Sequence, residues 1–79
     1  MKVALAVHRV SPEPTSNLGT IIAMTIKAAD GGADLIFFAE TALTGFILTD
    51  EPAHDLPLGQ HIPGPATETL ALLARERHI

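Results

Sequence analysis

Residues 31–40 read Gly-Gly-Ala-Asp-Leu-Ile-Phe-Phe-Ala-Glu (GGADLIFFAE), and this stretch decides how the chain folds. Its two glycines can adopt the left-handed conformation that ends a helix. The apolar run at 35–39 then has the length and composition of a buried strand. Glu40 is the first charged residue after that run. The stretch therefore predicts a helix that stops at the glycines, a strand, and an acidic side chain where the strand ends.

Two further elements are predicted before this stretch. Residues 3–7 (VALAV) are continuously apolar, the pattern of a strand covered on both faces. Residues 8–16 contain two prolines and predict a loop. From 16 to 30, apolar residues recur at helical spacing, namely Leu18, Ile21, Ile22, Ile26 and Ala29. Ser16 or Thr15 can cap this helix. The order strand, helix, strand predicts a βαβ unit with parallel strands.

The remainder of the chain predicts a loop followed by a second helix. Residues 41–63 are irregular and rich in turn-forming residues, and Gly64-Pro65 opens a helix with proline at the tolerated first position. The apolar side of this helix comprises Ala66, Leu70, Leu73 and Ala74. No repeat or linker divides the sequence. Residues 1–79 are therefore predicted to form one α/β piece, with the order β-α-β-loop-α.

Size and composition narrow the classes of function. A chain of 79 residues removes only about 60 to 65% of its unfolded surface from water. Yet 47% of its residues are hydrophobic, which indicates a further surface that covers part of them. Nine acidic residues against five basic ones exclude the basic patches that bind nucleic acid or an anionic membrane.

Residue types that would mark other compartments or cofactors are also missing from the sequence. There is no cysteine, so neither a disulfide nor a zinc-thiolate site can form. The first residues lack the pattern of a signal peptide, and the apolar runs are far shorter than the roughly 20 residues that cross a membrane. We expect a cytoplasmic protein with no cofactor, no membrane contact and no nucleic-acid partner.

Glu40 is the strongest candidate for a catalytic residue. Strict alternation along the second strand would place it on the face of Ile36 and Phe38, at the carboxyl end of the strand. Ligands of parallel sheets gather beyond the carboxyl ends of the strands, where a carboxylate can serve as a general base. The alternative is a structural acid that caps a loop or pairs with an arginine.

A second polar group lies in the loop between the second strand and the second helix. His54, Asp55 and His61 are acceptable metal ligands, but their spacing matches no standard zinc pattern. We interpret them as solvent-exposed loop residues and predict no metal site. Asp50 and Glu51 are interpreted in the same way, as a solvated acidic pair.

Residues 33–46 (ADLIFFAETALTGF) closely resemble the segment around the first catalytic residue of the nitrilase superfamily of carbon-nitrogen hydrolases. That segment usually reads GADLIVFPE, followed by a small residue, a short TG and an aromatic. Residues 3–7 resemble the family's first strand, Asn17-Leu18 the start of its first helix, and residues 62–65 and 72–75 its second helix. Two positions depart from the pattern: Ala39 stands where proline is common, and His8 where glutamine is frequent.

The resemblance implies a fold and a mechanism. The fold is an α-β-β-α sandwich, of which this chain would be the amino-terminal portion. The mechanism uses a glutamate base at Glu40, a lysine that stabilises the oxyanion, and a cysteine nucleophile that forms a thioester. The chain has no cysteine, and neither Lys2 nor Lys27 matches the family's lysine motif. We therefore expect an inactive piece of a homo-oligomeric enzyme that cleaves small-molecule amides, carbamoyl compounds or nitriles.

Two other classes of function are compatible with a βαβ unit. The first is a nonenzymatic α/β module whose apolar surface docks on a partner chain. The second is a dinucleotide-binding βαβ unit, in which an acid at the end of the second strand contacts ribose. Residues 8–16 (HRVSPEPTS) contain no glycine, so the phosphate-binding fingerprint of that fold is missing.

Overall fold

A computed structural model describes residues 1–45, 53, 57, 59–60 and 62–79. Its helices and strands are β1 (Val3–Ala6), α1 (Pro14–Asp30), β2 (Leu35–Phe38) and α2 (Pro65–Arg77). The predicted order of elements is confirmed, and each strand is one residue shorter than predicted. The two strands pair in parallel, with Val3 opposite Leu35 and Ala6 opposite Phe38.

The start of α1 differs from the prediction, whereas its end agrees. The helix begins at Pro14 rather than Ser16, and Glu13 is the N-cap residue without a side-chain capping bond. The expectation of a Ser16 or Thr15 cap was wrong because proline, with its fixed φ, is well suited to the first helical turn. The end lies at the glycines, where Gly32 has φ of 86° and its N–H donates to Ala29 O at 2.9 Å.

The buried face of α1 is more polar than the apolar stripe suggested. Its three buried residues are Asn17, Ile21 and Thr25, spaced four apart, whereas Leu18 and Ile22 are only half-buried. Thr25 Oγ1 donates to Ile21 O at 2.7 Å. Polar side chains can lie in this central row because their hydrogen bonds are made inside the protein.

The two faces of the sheet differ in exposure. Ala6 is buried and Phe38 is half-buried on the face toward the helices. On the opposite face, Leu5 is 79% exposed, Val7 87% and Phe37 53%. The prediction that the first strand is covered on both faces therefore holds for one face only in the part of the chain that the structure describes.

Helix α2 packs beside α1 and runs in the same direction. Arg77 Nη1 lies 3.4 Å from Asp30 Oδ1, which joins the carboxyl ends of the two helices. Both side chains are exposed, so this ion pair contributes little to stability. The predicted apolar side of α2 is confirmed, with Ala66 buried and Leu70, Leu73 and Ala74 half-buried. An apolar groove of about 490 Å³ remains between α1, β2 and α2.

A hydroxyl group organises the start of α2, and removing it should weaken the helix. Gly64 N–H donates to Thr67 Oγ1 at 2.7 Å, and that hydroxyl donates to Gly64 O at 3.0 Å. Thr67→Val keeps the shape but loses both bonds, so we expect the free energy of unfolding to fall by about 1 kcal/mol in urea titrations. Thr69→Val, which removes an exposed hydroxyl bonded to Pro65 O, is the matched control. Equal losses in the two variants would contradict this prediction.

Candidate active site at the carboxyl edge of the sheet

Glu40 lies just beyond the carboxyl end of β2 and is exposed. The last paired residues of the two strands are Ala6 and Phe38, so Glu40 and His8 each follow a strand by two residues at the same edge of the sheet. Strand pairing has already ended at Phe38. Glu40 thus lies outside the alternating part of the strand, and the expectation that it shares the face of Ile36 stays a prediction.

A tight turn carries Glu40. Ala42 N–H donates to Ala39 O at 3.2 Å, so Glu40 and Thr41 are the two central residues of the turn. Thr41 has φ of 58°, a left-handed conformation that costs a residue with a side chain roughly 1–2 kcal/mol. Gly45 N–H then donates to Thr41 O at 2.8 Å. Such a conformation persists only where the surrounding structure holds it in place.

The residue that ends this turn lies against the loop after β1. Gly45 is buried and has φ of 85°. A Cβ atom at this position would lie 3.1 Å from Ser11 O and 3.6 Å from Val10 Cγ1. Gly45 thus meets two requirements that only glycine satisfies together, a left-handed backbone and a close approach of two backbones.

Asn17 joins the same two loops from the first turns of α1. Its side chain is held by three hydrogen bonds, and the residue is only 1% exposed. Ser11 N–H donates to Asn17 Oδ1 at 2.7 Å, while Asn17 Nδ2 donates to Ser11 O at 2.7 Å and to Leu43 O at 2.8 Å. No separate role was predicted for Asn17 from the sequence. Its position one helical turn before Ile21 on the buried face is the signal that could have revealed it.

His8 is a second titratable side chain at this edge. Its ring meets Phe38 edge to face, with centroids 6.1 Å apart. Nδ1 lies 3.3 Å from Arg9 O. Nε2 is buried and has no hydrogen-bond partner among the described residues. The imidazole therefore packs against Phe38, the last residue of β2.

Both lysines lie at the opposite edge of the sheet. Lys2 precedes β1, and its ammonium group donates to Gly31 O, beyond the end of α1. Lys27 is in the last turn of the same helix. The whole length of β2, about 13 Å for four residues, lies between the level of Lys2 and the turn of Glu40. The basic side chain at the carboxyl edge is Arg9, which is exposed.

The amino ends of both helices lie at the edge of Glu40. Pro14 and Thr15 of α1 share a groove with Pro65 and Ala66 of α2 and with Leu43 from the turn. Helix amino ends carry a partial positive charge, which favours anions nearby. This edge is therefore electrostatically favourable for negatively charged groups near the helix starts.

Other groups offer no second site within the described ranges. No set of three or more histidine, cysteine or acidic residues is arranged there to hold a metal ion. His54, Asp55, His61, Asp50 and Glu51 lie outside the described residues. Neither helix of the described chain has both the length and the apolar character needed to cross a membrane.

A known protein family matches almost the whole chain. The family described as carbon-nitrogen hydrolase matches residues 2–79. The chain belongs to the carbon-nitrogen hydrolase family. The resemblance to the nitrilase superfamily is thereby confirmed, and the β-α-β-loop-α arrangement is a segment of the nitrilase-like α/β fold. No curated protein and no solved structure matches this carbon-nitrogen hydrolase chain.

Proposed function

We propose that this chain is the amino-terminal portion of a carbon-nitrogen hydrolase that cleaves an amide, carbamoyl or nitrile substrate, with Glu40 as its general base. The observation that supports the proposal is the placement of a carboxylate at the carboxyl edge of a parallel sheet, on a turn with defined backbone hydrogen bonds. Ligands of such sheets bind at this edge. Membership of the hydrolase family favours a catalytic acid over a structural one.

The proposed reaction with an amide uses three groups in sequence. The Glu40 carboxylate accepts the proton of a cysteine thiol, and the thiolate attacks the carbonyl carbon. A lysine ammonium group stabilises the tetrahedral oxyanion. The C–N bond breaks as the departing nitrogen takes up the proton that Glu40 had accepted, which leaves a thioester and restores the Glu40 carboxylate. Water then cleaves the thioester, and the same carboxylate accepts the proton of the attacking water.

We place the cysteine and the lysine of this reaction on polypeptide outside these 79 residues. The sequence contains no cysteine, and its two lysines lie at the far edge of the sheet. The exposed face that carries Leu5, Val7 and Phe37 agrees with this view. In an α-β-β-α sandwich, the inner face of one sheet packs against a second sheet.

The same proposal includes the compartment, the class of substrate and the oligomeric state of the complete enzyme. We expect the complete hydrolase to be cytoplasmic and to act on a small molecule. The formal charge of -4 on these 79 residues does not favour nucleic acid or an anionic bilayer as a partner. We also expect it to form a homo-oligomer, which light scattering of the complete enzyme would measure. A monomer over the whole concentration range would contradict the oligomer.

The first experiment compares the 79-residue chain with the complete enzyme in an ammonia-release assay. The chain alone should release no ammonia from amides or nitriles, because a base without a nucleophile cannot form the thioester. Supplying the downstream polypeptide, fused to the chain or added as a separate piece, should restore activity. Ammonia release by the chain alone, or a downstream sequence without cysteine and a lysine motif, would contradict the proposal.

A further inference from the structure

We propose that Asn17 is a positioning residue for Glu40, which it holds in place by binding the turn after β2 to the start of α1. The inference rests on the proposed function of Glu40. Asn17 lies within the first turns of the helix and is 1% exposed, so its side chain is fixed by the helix backbone and by packing.

The Asn17 side chain makes hydrogen bonds to two loops. Its oxygen accepts from Ser11 N–H, and its Nδ2 group donates to Ser11 O and to Leu43 O, all at 2.7 to 2.8 Å. An amide nitrogen has two hydrogens, so both donors are engaged. The bonds to Ser11 fix the loop after β1, and the remaining bond reaches 26 residues along the chain to the turn after β2.

The bond to Leu43 acts close to Glu40. Leu43 is three residues beyond Glu40. It directly follows the turn closed by Ala42 N–H and Ala39 O, and it lies inside the segment closed by Gly45 N–H and Thr41 O. A Cβ atom at Gly45 would lie 3.1 Å from Ser11 O, the same carbonyl group that accepts from Asn17, so the backbone of Gly45 lies close to Ser11. The turn is therefore anchored by the bond from Asn17, and its last residue lies close to the Ser11 carbonyl group that Asn17 also binds.

Other side chains of similar size cannot replace this arrangement. Aspartate keeps the acceptor for Ser11 N–H but loses both donors and places a negative charge against two carbonyl oxygens. Glutamine adds a methylene group at a position that is 1% exposed. The geometry thus requires asparagine for its two donors and not only for its size.

The test uses the complete hydrolase with Asn17→Ala, Asn17→Asp and a matched control. Thr25→Ala is the control because Thr25 is a buried polar residue of the same helix whose hydroxyl, among the described residues, donates within α1, to Ile21 O. Displacing a catalytic group by about 1 Å can cost about 100-fold in rate. We expect both Asn17 variants to lower kcat by about 10- to 100-fold with KM little changed. At temperatures where the variant is folded, Thr25→Ala should have the wild-type kcat.

A second readout remains measurable in variants that do not turn over. Iodoacetamide alkylates the catalytic cysteine at a rate that reports how readily its proton is removed. We expect slower alkylation in Asn17→Ala than in the wild type. In the Glu40→Gln background, adding Asn17→Ala should cause no further slowing, because the positioned carboxylate is already gone.

The outcomes separate the two proposals. If Asn17→Ala loses no more kcat than Thr25→Ala, or if its effect on alkylation is undiminished in the Glu40→Gln background, the positioning role is wrong and Asn17 is merely structural. If Glu40→Gln itself leaves turnover and alkylation unchanged, the proposed function of Glu40 fails first. Should Asn17→Ala not fold, Asn17→Asp, which keeps the bond from Ser11 N–H, is judged by the same two readouts.

Discussion

Glu40→Gln in the complete hydrolase is expected to lower kcat/KM by about 10²- to 10⁴-fold, the contribution typical of a general base. Glutamine keeps the size of the side chain and its place on the turn, but it cannot accept the thiol proton. The loss should appear in kcat with KM little changed, because the carboxylate acts in the transition state more than in substrate binding. Steady-state ammonia release at saturating and limiting substrate measures both constants.

Glu13→Gln is the matched control for this experiment. Glu13 is an exposed carboxylate at the amino end of α1, and its side chain makes no capping bond. It therefore undergoes the same change of charge at the same edge of the sheet, but on the loop before α1 and not on the turn that carries Glu40. We expect wild-type kinetics in this variant. Equal losses for Glu13→Gln and Glu40→Gln would assign the effect to the local electric field and not to a base.

Gly45→Ala is expected to lower the free energy of unfolding by about 2 to 4 kcal/mol, the largest stability effect predicted for a single methyl group here. A side chain at φ of 85° costs roughly 1–2 kcal/mol. The new Cβ atom would also lie 3.1 Å from Ser11 O, a backbone atom that can retreat only by moving its loop. Urea unfolding followed by circular dichroism measures the loss.

Two other glycines separate the causes of that loss. Gly32 has φ of 86° and open space around its Cβ position, so Gly32→Ala should show the backbone cost alone, roughly 1–2 kcal/mol. Gly19 is exposed within α1 with nothing near its Cβ position, so Gly19→Ala should stabilise the protein by roughly 0.5–1 kcal/mol. A loss in Gly45→Ala no larger than that in Gly32→Ala would show that the contact with Ser11 is unimportant.

Local patterns in the sequence predicted the elements of the fold well. Continuous apolar runs predicted the strands, helical spacing of apolar residues predicted the helices, and the order β1, α1, β2, α2 is the one observed. Gly32 adopts a positive φ just after α1, as the backbone freedom of glycine suggested. The start of α1 was misplaced because two prolines in the preceding segment suggested a longer loop, although Pro14 occupies a position where a helix tolerates it.

The candidate site was predictable only in part. The position of Glu40 follows from where the strand ends, which the sequence shows. The roles of Asn17 and Gly45 depend on contacts between loops that are distant in the chain, and no local pattern reports such contacts. Apolar periodicity even draws attention away from Asn17, because it selects Leu18 and Ile22 for the buried face.

Ala39 shows that the family's proline is not needed to form the turn. Ala39 contributes its carbonyl oxygen, which accepts from Ala42 N–H, and proline would offer the same acceptor. The turn is also held from outside by the bond from Asn17 to Leu43 O, and the backbone of Gly45 lies close to Ser11. The replacement of proline by alanine is therefore compatible with a fixed position for Glu40.

The most direct test of the base role is the pH dependence of iodoacetamide alkylation in the complete hydrolase, wild type against Glu40→Gln. If Glu40 accepts the thiol proton, the variant should react much more slowly at neutral pH. It should approach the wild-type rate when the solution is alkaline enough to ionise a free thiol, near pH ~8.5 and above. Identical alkylation rates in the two proteins at neutral pH would contradict the account.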